Sequence, residues 1–114
     1  MYESPQIPMN LTFVPGTIVS LTDATLAADK ALRRGIRGNN PSQTHYLYVL
    51  IWPKGLPLVD RLGATVDANK IIAGAWTLAV PPLGSWYDEG QNCDFYFLLD
   101  PNASAVNGYV QEVY

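Results

Sequence analysis

Charged side chains are scarce in this 114-residue chain, at 15% of residues, where about 25% is usual for a soluble domain. The 7 Lys and Arg residues against 10 Asp and Glu residues leave a formal net charge of −3. This balance excludes direct nucleic-acid binding through overall positive charge. No apolar run reaches the roughly 18 residues of a membrane-spanning helix, so we expect no membrane partner. With 48% apolar residues, the chain is too hydrophobic to be disordered, and its length is that of one domain.

The side chains that usually carry chemistry are also few. Cys93 is the single cysteine and cannot form an intramolecular disulfide. His45 is the single histidine, and its sequence neighbours supply neither a nucleophile nor an orienting acid. One histidine and one cysteine leave only carboxylates to complete a zinc site. We therefore expect no catalytic residue, no cofactor, no metal site and no enzymatic activity.

The N-terminus has neither the basic region nor the apolar stretch of a signal peptide, so we expect no Sec export. Residues 1–15 form an apolar segment punctuated by Pro5, Pro8 and Pro15, which favour extended backbone and block a helix. We interpret 1–15 as an extended arm and 16–114 as the domain proper. Two interpretations of the arm stay open, because it could be the first strand of its own domain or could lie on a neighbouring subunit.

Stretches rich in β-branched and aromatic residues recur roughly every 10 to 15 residues with turn signals between them. The predicted strands are 16–21, 44–52, 56–62, 71–80, 93–99 and 108–114. This spacing predicts a mainly β protein, a single antiparallel β-sandwich of Ig-like or jelly-roll type with about six or seven strands.

One segment, 23–34, carries helix signals. Asp23 can cap the N-terminus, Arg33 and Arg34 suit the negative end of the helix dipole, and Gly35 can end the helix. A strand through the same segment is the alternative. Residues 67–70 are predicted to form a turn, and 83–92 a loop.

Two predicted strands, 44–52 and 93–99, have no polar face. A small sandwich has one core and exposes polar outer faces, so the second face of these strands needs a cover. The helix, the arm or a second subunit could supply that cover. The last strand, which runs to the end of the sequence, is a further template for pairing with another chain.

Aromatic residues are enriched and charged residues depleted at the centres of protein interfaces. We therefore predict a homo-oligomer, a component of a larger protein assembly, or both. The candidate interface residues are Tyr2, Ile7, Met9, Phe13, Tyr46, Tyr48, Trp52, Tyr109 and Tyr114.

A second class of function is carbohydrate binding. Aromatic rings can stack on the face of a sugar, and neighbouring carboxylate and amide groups can form hydrogen bonds with its hydroxyl groups. The 86–94 loop holds this combination. Its candidate ligand residues are Trp86, Tyr87, Asp88 and Asn92.

Few charges, a proline-punctuated arm, a compact β domain and the lack of a catalytic motif are together typical of small β-sandwich proteins of viral particles, an analogy at the level of the fold. We therefore expect a non-enzymatic structural or assembly protein. It would be a small virion component of phage capsid decoration, neck or tail type that binds copies of itself and a larger scaffold. Its expected location is the virion, or the host cytoplasm during assembly.

Overall fold

In the computed structural model, the described residues are 9–21, 35–60, 62–73, 77–89 and 93–113. Their elements are β1 (Met9–Phe13), β2 (Ile18–Leu21), β3 (Gly35–Asn39), β4 (Leu47–Pro53), α1 (Ala68–Ala73), β5 (Thr77–Val80), β6 (Ser85–Asp88), β7 (Cys93–Leu99) and β8 (Val106–Val113). The strands form two four-stranded sheets. Sheet 1 has the order β1-β8-β3-β6, and sheet 2 has the order β2-β7-β4-β5.

The strand pairing follows one rule throughout the described ranges. β1 pairs with β8, β2 with β7, β3 with β6 and β4 with β5, each antiparallel. The first half of the chain therefore runs against the second half as one long ribbon, which folds over into two sheets. This is the topology of an eight-stranded jelly roll. The prediction of a mainly β antiparallel sandwich is confirmed, with eight described strands rather than six or seven.

The core lies between the two sheets and follows from the period-two alternation of strand side chains. On sheet 2, Leu47 of β4 lies opposite Leu99 of β7, and Val49 lies opposite Phe97. All four side chains are fully buried. Sheet 1 adds four buried side chains to the same core, namely Phe13, Ile36, Trp86 and Val110.

The other face of sheet 2 is covered by the chain itself, through the connection between β4 and β5. Leu50 of β4 and Leu98 of β7 form a buried cluster there with Val66 and Ile71 of that connection. The two-sided burial expected for these strands is therefore present. The described part of the cover is the β4–β5 connection; the 23–34 segment, one of the expected covers, lies outside the described residues.

Helix α1 corrects the prediction of a turn over 67–70 and of a strand beginning at residue 71; the end of that predicted strand is confirmed as β5, Thr77–Val80. The Asp67 carboxylate accepts a hydrogen bond from the Lys70 backbone N–H at 3.0 Å and so caps the helix. Ile71 is fully buried against sheet 2, and this burial outweighs its preference for strands. No helix in the described ranges combines the length and apolar character needed to cross a membrane.

Three further predictions are corrected: a strand over 56–62, a loop over 83–92, and a free edge on the last strand. Among the described residues of the segment 56–62, the only strand-like pairing is an isolated bridge from Val59 to Thr65. The loop expected over 83–92 contains β6, because Trp86 enters the core. The last strand is not a free edge, since β8 is paired on one side by β1 and on the other by β3.

Residues 9–13 of the expected arm form β1, an edge strand of this chain's own sheet 1. The rest of the arm, residues 1–8, lies outside the described residues, as does the 23–34 segment with its helix signals. Gly35, expected at the end of that helix, begins β3 instead.

Candidate interaction surface at one end of the sandwich

Four short loops lie together at one end of the jelly roll, and we call this surface the loop end. Its loops are 14–17, 40–46, 81–84 and 100–105. Backbone hydrogen bonds connect the loops to one another or to the strand end beside them. They run from Gly16 N–H to the carbonyl of Leu99 at the end of β7 (3.0 Å), from Asp100 N–H to the Tyr46 carbonyl (3.1 Å), and from Leu83 N–H to the Ser42 carbonyl (3.0 Å). The loop end is therefore one continuous surface.

Asn40 holds the loop end together from inside. Its side chain is fully buried, and the two N–H groups of its Nδ2 are shared among three carbonyls, those of His45 at 2.8 Å, Val80 at 3.0 Å and Pro81 at 3.1 Å. Its Oδ1 accepts a hydrogen bond from the Ser42 backbone N–H at 3.0 Å. One amide group thus fixes two loops and the end of β5.

The composition of the loop end is unusual within an already weakly charged chain. With histidine counted as neutral, Asp100 is the single charged residue of its four loops. Five of the chain's nine prolines lie in these loops, at positions 15, 41, 81, 82 and 101. Because proline fixes its own φ angle, these loops have little conformational freedom to lose on binding.

Three large apolar side chains of the loop end are exposed. Val14 and Tyr46 are each 44% exposed, and Leu83 is 68% exposed. Leu83 also has a φ of 61°, the left-handed region that costs a non-glycine residue about 1–3 kcal/mol. Glycine or asparagine would satisfy this turn at lower cost. Leu83 therefore combines a strained backbone conformation with a solvent-exposed apolar side chain.

A shallow depression of about 330 Å³ lies between the second and fourth loops. Its lining residues are uncharged, with His45 taken as neutral, and are Pro41, Ser42, Gln43, Thr44, His45, Asn102, Ser104 and Val106. Nδ1 of His45 lies 2.7 Å from the Thr44 hydroxyl. The depression offers hydroxyl and amide groups to a partner without requiring that a charge be desolvated.

Of the predicted interface residues near sheet 2, Tyr46 lies at the loop end, and Tyr48 and Trp52 lie on the outer face of the sheet. Tyr46 is exposed at the loop end and stacks on Tyr48, with ring centroids 6.4 Å apart. Burial raises the pKa of Tyr48, and the negative charge of Asp100 raises it further. Trp52 is half-buried in the outer cluster of sheet 2, and its indole N–H donates to the Pro57 carbonyl at 3.1 Å.

Two of the candidate aromatic residues lie in the core. Phe13 is 1% exposed and contacts Phe97, with ring centroids 5.6 Å apart. Trp86 is 6% exposed and lies between Phe95 and Phe97, at centroid distances of 6.0 and 5.7 Å. Trp86 therefore has no open ring face on which a sugar could stack.

Tyr87 and Tyr109 are exposed on the outer face of sheet 1, away from the interlayer core. Asp88 is half-buried in β6, and Met9 lies in β1. The remaining candidates fall outside the described residues and are Tyr2, Ile7, Asn92 and Tyr114. The predicted residues thus do not meet at one place.

Sequence reasoning missed Val14, Leu83 and Asn40. The first two fall in segments that read as turns, where an apolar residue carries no periodic signal. The usable signal is the combination of proline and absent charge in four separate turns, which becomes a surface only when the fold brings them together. Among the described residues, no group of three or more His, Cys, Asp or Glu side chains could hold a metal ion.

Comparison of the chain with protein-family models, with curated proteins and with solved structures found no match.

Proposed function

We propose that the protein is a non-enzymatic assembly protein that binds copies of itself and a larger scaffold, and that the loop end makes the contact. The observation that carries this proposal is Leu83, which is strained, 68% exposed and held on a rigid turn. A site of backbone strain is a reason to look for function.

The energetics of association favour such a surface. Burial of a leucine side chain contributes about 1.5–3 kcal/mol, and a surface almost without charge avoids the desolvation penalty of unpaired ions. The hydrogen bonds of Asn40 order the loops before any partner arrives, which lowers the entropy cost of binding.

In its sharper form, the proposal is a small virion component of capsid decoration, neck or tail type, located in the virion or in the host cytoplasm during assembly. The support is the jelly-roll topology, which occurs in viral capsid domains and also in lectins. This support is an analogy of fold. The second apolar face of β4 and β7 does not by itself argue for a partner, because described residues of the chain's own β4–β5 connection pack on it.

Sedimentation velocity at about 100 μM, above the micromolar Kd of a weak specific interface, tests self-association. We expect the wild-type chain to sediment as an oligomer and Leu83→Asn to sediment as a monomer. Asparagine relaxes the left-handed backbone, so the variant should fold at least as well as the wild type.

Leu62→Asn is the matched control, since Leu62 is 94% exposed on the turn that follows Val59. It removes an equally large apolar side chain outside the loop end and should leave the oligomer intact. The proposal is refuted if the wild-type chain sediments as a monomer, or if Leu83→Asn forms the same oligomer as the wild type.

A further inference from the structure

A groove of about 590 Å³ lies on the outer face of sheet 1, apart from the loop end. Arg37 of β3 is opposite Gln111 of β8 and opposite Tyr87 of β6, so these three side chains share a face. Tyr109 lies two residues before Gln111 and therefore points the same way. The lining residues are Arg37, Gly38, Ser85, Trp86, Tyr87 and Tyr109.

The Arg37 guanidinium is oriented by one neighbour. Its Nε and Nη2 both donate to Oε1 of Gln111, at 2.9 and 2.6 Å. This uses one edge of the planar group and leaves the edge formed by Nη1 and Nη2 directed away from Gln111. Within the described part of the chain, no carboxylate pairs with Arg37. The free edge has the fork geometry that binds a carboxylate through two hydrogen bonds.

Two tyrosines line the groove with Arg37. Tyr87 is 48% exposed and Tyr109 is 39% exposed. The Tyr87 ring lies across Gly35, where an added Cβ would be 2.5 Å from the phenol oxygen. Gly35 therefore gives the half-exposed Tyr87 ring room to lie across β3. Ser85, on the same face of β6, adds an exposed hydroxyl.

We propose that this groove binds a carboxylated pyranose, the chemistry that uronic acids and sialic acids share. The carboxylate pairs with the free edge of Arg37, the C–H face of the ring packs on a tyrosine, and hydroxyl groups bond to Ser85. Ligand sites of this volume use a few placed polar groups in this way. An acidic peptide fits less well, because no aliphatic side chain is among the described residues that line the groove.

The site differs from the 86–94 loop predicted to bind sugar, since it depends on the Arg37 guanidinium and not on stacking of a sugar on the Trp86 ring. It does not rest on the assembly proposal, because none of its lining residues belongs to the loop end.

Nuclear magnetic resonance titration of the ¹⁵N-labelled chain tests the proposal with matched ligands. The probes are methyl β-D-glucuronide, methyl β-D-glucoside, the methyl glycoside of N-acetylneuraminic acid, and pentaglutamate. We expect saturable shifts of the Arg37 Nε–H signal with one or both acidic sugars, and binding at least tenfold weaker for the neutral glucoside. The two acidic sugars distinguish a uronate ligand from a sialate ligand.

Arg37→Gln should weaken binding of the acidic sugar at least tenfold. Arg37→Lys should weaken it as well, because lysine keeps the charge but loses the two-bond fork. Lys54→Gln, which removes an exposed cation after β4, is the charge-matched control and should bind as the wild type does. Thermal melts identify any variant that fails to fold, and Arg37→Lys then carries the test.

Three outcomes would overturn the proposal. They are equal binding of glucuronide and glucoside, binding that is unchanged in both folded Arg37 variants, and no saturable shift with either acidic sugar at millimolar concentration. Binding of pentaglutamate alone, lost on Arg37→Gln, would replace the sugar by an acidic peptide.

Discussion

Adjacent asparagines at the end of β3 should differ sharply in their contribution to stability. Asn40 is fully buried and makes four hydrogen bonds, two of them in fully buried surroundings, to the Val80 carbonyl and from the Ser42 N–H. The neighbouring Asn39 has a buried Oδ1 with no hydrogen-bond partner in the described structure. The two side chains are chemically identical, so the pair isolates the effect of satisfying a buried amide.

Replacement of Asn40 by alanine removes two hydrogen bonds made in fully buried surroundings, one to the Val80 carbonyl and one from the Ser42 N–H. A hydrogen bond contributes about 0.5–1.5 kcal/mol, and a buried group left without a partner costs up to about 3 kcal/mol. The two remaining bonds are only part-buried, so water can replace them in part. We therefore expect Asn40→Ala to lower the free energy of unfolding by about 3 kcal/mol. For a domain of this size, that loss lowers Tm by about 10–15 °C.

Replacement of Asn39 by alanine removes an acceptor that has no partner, so the same reasoning predicts a change of less than about 0.5 kcal/mol, of either sign. Urea unfolding followed by tryptophan fluorescence measures both variants, with an unchanged m-value as the sign that the transition stays two-state. Equal losses in the two variants, or a loss below about 1 kcal/mol for Asn40→Ala, would refute the reasoning.

Three other predictions follow from the described contacts. Gly38→Ala places a Cβ 2.7 Å from Nε1 of Trp86, whose ring is confined in the core, so it should lower stability by about 1–3 kcal/mol in thermal unfolding. The hydrogen bond from Lys70 (2.7 Å), with two backbone bonds, lowers the pKa of Asp60 in the folded state. The ionised Asp60 therefore stabilises the fold at pH values above its unfolded pKa, and this contribution is lost as the pH falls through the folded pKa. Asp60→Asn should therefore reduce the dependence of the free energy of unfolding on pH below about pH 4. Burial first, and the Asp94 charge second, raise the pKa of Tyr96; Tyr96→Phe should therefore remove a late-titrating phenol from the absorbance titration of the folded protein above pH 10.

Local pattern was sufficient for the two central strands. Both 44–52 and 93–99 carry apolar or aromatic residues on both faces, and in the structure β4 and β7 are the inner strands of sheet 2, covered on both sides. The same pattern could not identify the cover. Helix α1 falls in a segment whose isoleucines favour a strand, and its start depends on the Asp67 cap and on burial of Ile71 by distant residues.

The sites were harder to predict, for a related reason. Trp86 follows the turn at Pro81 and Pro82 and precedes two acids, a setting that suggests a surface loop. It enters the core because Gly38, 48 residues away in the sequence, leaves space for its ring. Arg37 and Tyr87 become neighbours only through the register of β3 and β6.

The sequence by itself determined that this chain folds as a single β-sandwich, because alternation, turn residues and the low charge are local properties of each segment. The tertiary structure alone decided which residues form surfaces. β1 pairs with β8, β2 with β7, β3 with β6 and β4 with β5, which brings four uncharged or nearly uncharged turns to one end. The same pairing places Arg37 between Tyr87 and Gln111. Strand order is a long-range property, since it depends on the free energy of the whole core and on no single segment.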